Sequence, residues 1–208
     1  MELDELLERL NQLAATHHVL TDDDRQTLEQ IWPDLTPAAR SWLLQHLLPF
    51  NPAALWHLVI PLIEAPRADS ERFMALAFME RHLRRSPSPE LYRIIALLLD
   101  QLWNPSLTAI ERWTVVVTLE AFPTPRVEAA IRDLHAITPD ADVRREAGYA
   151  LAIWGDAAIA AQVAEEALAL NHVGTLGRLL ERRDAFVLDS ELMARMEAAV
   201  RGFQQKRR

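Results

Sequence analysis

The chain has 208 residues, half of them apolar and a quarter charged, the balance of a globular protein long enough to build a core without covalent staples. It has no cysteine, which excludes disulfides, thiolate metal sites and thiol nucleophiles. Formal charge is −8, and none of the five glycines precedes Gly148, which excludes the glycine clusters that bring backbone to phosphate in a P-loop or a dinucleotide-binding turn.

Residues 1–35 carry nine acids against Arg9 and Arg25, a net −7, and read as an acidic cap of two helices starting near Glu2 and Thr21. The opening Met-Glu-Leu-Asp-Glu is acidic where a signal peptide is basic and then apolar, so the expected location is the cytoplasm. The most apolar stretch, Ile94 to Leu99, is too short to span a bilayer, and no membrane association is expected. From residue 36 onward apolar residues recur at three- and four-residue spacing with no strict alternation, the pattern of helices throughout. A capping residue followed by proline marks helix starts at Thr36-Pro37, Asn51-Pro52, Ser88-Pro89 and Thr124-Pro125, because the cap's oxygen takes an orphan N–H and proline tolerates the first helical position. Further starts fall at Asp69/Ser70, Ser106 to Thr108, Asp140 to Asp142, Asp156 and Asp189/Ser190, for about twelve helices joined by short turns. Pro61 is expected to kink its helix or to end its regular bonding near Leu58. The final eight residues hold Arg201, Lys206, Arg207 and Arg208 with no acid, a polarity opposite to that of residues 1–35.

The starts are periodic. Asn51, Ser88, Thr124, Asp156 and Asp189 lie 37, 36, 32 and 33 residues apart, and Thr36, Asp69, Ser106 and Asp140 interleave with them. Such a period marks a helical solenoid, here about six helix pairs. Three residues after the caps of the first series come Leu91, Val127, Ile159 and Leu192; seven after come Leu58, Ile95, Ile131, Val163 and Met196, positions that share one inward face. The interleaved series gives inward Leu43, Ala75, Val115 and Ala147, then Leu47, Met79, Leu119 and Leu151. It also repeats Arg40, Arg72, Arg112 and Arg144 in the first helical turn, where a cation opposes the helix dipole and needs a partner. Asp140 and Asp142 are candidates to serve Arg144.

The segment Asp140-Ala-Asp-Val-Arg-Arg-Glu-Ala-Gly-Tyr-Ala-Leu-Ala-Ile-Trp-Gly-Asp156 resembles half of a HEAT-like repeat, most closely the short bacterial phycobilisome-lyase type. The likeness is close from about Thr138 to Leu168, weaker over Ile110 to Thr138, and rests on period and register before residue 105. It implies an all-α, right-handed superhelical solenoid of antiparallel helix pairs. On this reading residues 1–208 form a single HEAT-like domain, with 1–35 as an acidic cap, 36–185 as central repeats and 186–208 as the last helix and a basic tail. Ala147 and Ala150 allow close helix approach, Gly148 suits a close helix contact, and Gly155 suits a left-handed helix end.

Chemistry is poorly signalled. The seven histidines form no pair presenting two imidazoles on one helix face, and His46 reads as a core histidine. The acid groups Asp22-Asp23-Asp24, Glu165-Glu166 and Asp140/Asp142 read as caps and surface. No catalytic residue, metal site or cofactor is expected, and the chain is not expected to be an enzyme. Of the six tryptophans, Trp42 and Trp154 are placed inward, and Trp103, before Asn104-Pro105, is placed at the surface.

The expected function is a non-catalytic scaffold or adaptor that binds a protein partner on a curved surface. Candidate partner-binding residues are Tyr92, Arg93, Trp103, Arg126 and Arg132, with Leu192 and Met196 on a C-terminal helix expected to pack on a partner or a second copy. One alternative is nucleic-acid binding, as in HEAT-like DNA glycosylases, through a patch drawn from Arg81, Arg84, Arg85, Arg93, Arg126, Arg132, Arg178, Arg182 and Arg183. Another, implied only by the repeat family's label, is a bilin lyase-like accessory role.

Overall fold

A computed structural model describes residues 19–46, 56–64, 70–84 and 90–206, together with Glu8 and Gln12. The described residues are all-α. They form α1 (Asp22–Ile31), α2 (Pro37–His46), α3 (Trp56–Glu64), α4 (Ser70–His82), α5 (Leu91–Leu102), α6 (Ala109–Leu119), α7 (Pro125–Ile137), α8 (Ala141–Ile153), α9 (Ala157–Ala169), α10 (Val173–Glu181) and α11 (Ser190–Lys206), with short 3-10 turns at Trp32–Asp34 and Arg183–Ala185. One series starts at Pro37, Ser70, Ala109, Ala141 and Val173; the other includes Leu91, Pro125, Ala157 and Ser190. The expected starts near Glu2, Asn51, Asp69 and Ser88, the register position Leu47, and His17, His18, Arg85, Arg207 and Arg208 lie outside the described residues.

The caps expected from sequence form with side-chain bonds. Thr21 and Asp24 make a reciprocal capping box at α1, and Thr36 Oγ1 accepts the Ala39 N–H at α2. At α6 the cap is Thr108, which accepts the Glu111 N–H while Glu111 accepts the Thr108 N–H at 2.8 Å. Thr124, Asp140, Asp156 and Asp189 cap α7, α8, α9 and α11.

Helix ends are equally defined. Gly155 has φ +107°, its N–H bonds Ala152 O, and the Asp156 N–H reaches back to Leu151 O, the paired bonds of a Schellman motif. Asn171 repeats this one helix later with φ +53°, its own N–H on Leu168 O and the His172 N–H on Ala167 O. That second stop leads directly into α10, a helix whose start the sequence reading lacks because His172 offers no side-chain cap to the backbone.

The chain divides into two compact units, Met1–Thr118 and Leu119–Arg208. In the first, α3 packs on α4, and α2 packs on α4, two helices further along. Its core includes Leu43, Leu44, Ile60, Ile63, Leu76 and Met79. In the second, each of α7 to α10 packs on the next helix, and α8 also meets α10 as α9 meets α11. Its core joins Tyr149, Val163, Leu176, Leu179, Leu192 and Met196. Neighbour and next-but-one contacts of this kind let successive pairs share one continuous apolar layer.

The inward register holds at Leu58, Val127, Ile131, Val163, Leu43, Ala75, Met79, Val115, Leu119, Ala147 and Leu151, all buried. In α5 it is displaced by one residue: Ile94 and Leu98 are buried, while Leu91 and Ile95 are only partly so. There the first helical residue is Leu91 rather than Pro89, so the cap-based count misplaces the face. Helix α3 does not end near Leu58 but continues through Pro61 to Glu64. His57, whose carbonyl a proline four residues on leaves without a helical donor, is at the exposed surface, where water can serve it. His46 is exposed rather than in the core and sits against the Trp42 ring one turn earlier, with centroids 4.9 Å apart.

Gly148 marks a close crossing. A Cβ on it would lie 2.7 Å from Val163 Cγ2 of α9 and 3.0 Å from His135 Cε1 of α7, so α8 is wedged between its two neighbours at a point that admits only hydrogen.

Candidate interaction surface

Two of the four recurring first-turn arginines, Arg40 and Arg72, pair with glutamates two helices away. Arg40 of α2 makes two hydrogen bonds to the Glu71 carboxylate at the start of α4 and one to Trp32 O. Arg72 of α4, fully buried, bonds both oxygens of Glu111 at the start of α6, at 2.8 and 3.2 Å. Its remaining N–H groups reach Ser106 Oγ and Ser106 O, both at 3.0 Å. Burial works against the Glu111 charge, but the bonds from Arg72 and from Thr108 outweigh it and hold the carboxyl below its usual range. Arg112 instead donates to Leu102 O and Asn104 O, closing the C-terminal end of α5 where a cation favours the dipole.

The second unit carries the same device in the reverse sense. Arg178 of α10 forks onto Glu146 of α8 at 2.7 and 2.9 Å, reaches Glu120 at 3.2 Å, and lies 3.8 Å over the Tyr149 ring. Burial opposes its charge, yet the Glu146 bonds and the pull of nearby negative charge hold Arg178 above the ordinary arginine range. Burial pushes the Tyr149 phenol up as well, against the lowering effect of the Arg178 cation. Trp154, placed inward from sequence, is partly buried and donates its indole N–H to Glu120 O. Arg144 is partly buried; Asp142 does not serve it but pairs at 2.7 Å with the buried Arg145, while Asp140 spends its carboxylate on the α8 cap.

A second, exposed set of pairs ties the other helix series. Arg93 of α5 lies 3.8 Å from Glu64 of α3 and 3.1 Å from Glu90. Arg132 of α7 bonds Asp156, the α9 cap, at 2.7 Å and Glu128 at 3.1 Å. Arg195 of α11 forks onto Glu165 of α9 at 2.7 and 2.9 Å. Of the arginines proposed for a phosphate-binding patch, Arg93, Arg132 and Arg178 thus already face carboxylates, whereas Arg126, Arg81, Arg182 and Arg183 are exposed. Arg81 and Arg84 line a polar concavity with Glu80 and His82 at the end of α4.

Tyr92 is 87% exposed and Trp103 is 47% exposed. Eleven residues are three helical turns, so Tyr92 in the first turn of α5 and Trp103, the C-terminal cap of that helix, fall on one line about 16 Å apart. Between them on that line Ala96 is partly buried and Leu99 is buried, so the exposure is confined to the two ends, with the exposed Arg93 beside Tyr92. Leu192 and Met196 belong elsewhere. Both are buried in the core of the second unit, where α11 uses them to cover α9 and α10. The three-and-seven spacing that singled them out reports any buried face, whether covered from within the chain or from outside it.

Among the described residues no group of His, Asp or Glu is arranged to hold a metal ion, and no helix is long and apolar enough to cross a membrane. No protein-family model, curated protein or solved structure matches the chain.

Proposed function

We propose that the chain is a non-catalytic protein–protein interaction module, a scaffold or adaptor built from HEAT-like helix pairs with the right-handed sense that this resemblance implies. The observation that carries the reading is the exposure of Tyr92 in the first turn of α5 and of Trp103 at its C-terminal cap, on a helix anchored by buried Ile94, Leu98, Leu99 and Leu102. Two aromatics presented three turns apart on a rigid helix suit a partner's amphipathic helix or extended segment, because aromatic side chains bury large area at small entropic cost. The next-but-one ion pairs support the repeat reading, since a stack of pairs needs contacts that recur from one repeat to the next.

Nucleic-acid binding is the weaker reading because Arg93, Arg132 and Arg178 are engaged by carboxylates, and phosphate would have to displace them. The bilin lyase-like role finds no supporting feature. The test is affinity capture from the native source with the wild-type chain and with Tyr92→Ala/Trp103→Ala, alongside a gel shift with single- and double-stranded oligonucleotides at low salt. A stoichiometric protein lost in the double variant supports the module; a salt-sensitive oligonucleotide shift with no captured protein overturns it.

A further inference from the structure

Within the second unit, an acid and an aromatic ring three residues apart on one helix hold a cation between them. Glu146 and Tyr149 stand at that spacing on α8, which makes them neighbours on the helix surface. Arg178 forks onto Glu146 at 2.7 and 2.9 Å and lies 3.8 Å over the Tyr149 ring. One guanidinium thus gives its edge to the carboxylate and its face to the ring.

The sequence has two further pairs of this spacing, Glu29–Trp32 and Asp100–Trp103. In the first the Trp32 ring is buried and Glu29 faces His57 at 3.2 Å, so no ring face is on offer. The second is open. Trp103 is about half exposed, Asp100 is exposed, and no cation among the described residues pairs with the Asp100 carboxylate. Arg93 is spent on Glu90 and Glu64, and Arg112, which reaches this helix end, donates to Leu102 O and Asn104 O. The last turn of α5 has no basic residue, so Asp100 stands where a carboxylate opposes the helix dipole. The ring is held ready as well. The Trp103 N–H bonds Asp100 O, and Asn104 fixes the following turn through Gln101 Oε1 and the Ser106 N–H, at 2.8 and 2.9 Å.

We propose that Asp100 and Trp103 receive an arginine side chain of the protein partner, the carboxylate on the guanidinium edge and the indole on its face. Arginine fits because its planar fork stacks and pairs at once, whereas the compact ammonium of lysine cannot do both. Tyr92, about 16 Å away, takes an apolar side chain of the same segment. The two side chains then stand about five extended residues or three helical turns apart in the partner. The inference rests on the reading of α5 as the docking surface and names the chemistry recognised there.

Selection of phage-displayed random peptides on the full chain, run in parallel on Tyr92→Ala/Trp103→Ala, tests it. The expected result is a set of peptides that only the wild-type chain retains and that share an arginine. For a synthetic copy of one, Asp100→Asn in the chain and alanine for arginine in the peptide should each weaken binding at least about tenfold, and together little more than either alone. Asp100→Arg should lose that peptide and bind a copy carrying aspartate in place of the arginine. Both variants should keep the wild-type Tm, since the Asp100 side chain is exposed. The chain carries −8, so an arginine peptide held equally well by Asp100→Asn is held by general charge and overturns the inference. Peptides that need Tyr92 and Trp103 but carry no arginine overturn it too, and leave the α5 surface standing. Peptides indifferent to both aromatics, or no peptides, overturn the α5 reading and the inference with it.

Discussion

Arg72 and Glu111 meet through two hydrogen bonds of 2.8 and 3.2 Å with both side chains buried, and each also serves a second group. Arg72 holds Ser106, and Glu111 closes the cap of its own helix on Thr108. Removing one member strands the other charge in the interior. Arg72→Ala should therefore cost about 3–5 kcal/mol in urea unfolding, and Glu111→Gln a substantial part of that. The double variant Arg72→Met/Glu111→Leu should be less damaged than Arg72→Ala. Equal losses in the two would show that packing, not the pair, dominates.

The same pair sets an acid limb. The Glu111 carboxyl is depressed in the folded state relative to its ordinary value of about 4.5, so the unfolded chain binds the proton more readily. The stabilisation is fully present above that value and is lost as pH falls through the lower folded value. Asp156, depressed by the Ile159 backbone N–H and by Arg132, acts in the same direction below its ordinary 3.8. Thermal midpoints measured from pH 6 to pH 3 should fall, and less steeply in Glu111→Gln.

How much of this was legible in the sequence differs by residue. Side-chain caps announce themselves, so Thr21, Thr36, Thr124, Asp140, Asp156 and Asp189 located their helices. Asn171 and His172 did not, because a left-handed asparagine is a property of φ and His172 gives the backbone no cap bond, and α10 went unseen. The recurrence of Arg40 and Arg72 revealed that partners were needed, but their identity depended on which helices stack. One signal was available: Glu-Arg stands at both 71–72 and 111–112, an acid placed beside each repeating arginine to receive the previous one. For the candidate surface, exposure of Tyr92 and Trp103 followed from helix position, whereas Leu192 and Met196 are apolar residues that the chain itself covers.

Gly148→Ala tests the close crossing. Alanine is favoured in a helix by about 1 kcal/mol, but its methyl would sit 2.7 Å from the buried Val163 side chain. The expected net effect is destabilisation by about 1–3 kcal/mol, partly relieved in Gly148→Ala/Val163→Ala, read from denaturant midpoints.

Both helix stops should lose stability with alanine, and only Asn171 leaves room for a gain. At Gly155, φ +107° strains any side chain, and Gly155→Ala should lose about 1–2 kcal/mol. At Asn171, φ +53° is a conformation glycine takes more freely, so Asn171→Gly should hold or raise the thermal midpoint while Asn171→Ala lowers it.

The most direct test of the module itself is hydrogen–deuterium exchange of the full chain with and without the protein it captures. The account predicts added protection concentrated on α5 between Tyr92 and Trp103, absent in the Tyr92→Ala/Trp103→Ala chain, whose own unfolding free energy stays within about 0.5 kcal/mol of wild type. Protection that spares α5 and falls on Arg81, Arg84 or Arg126, or that appears only with an oligonucleotide, would contradict it.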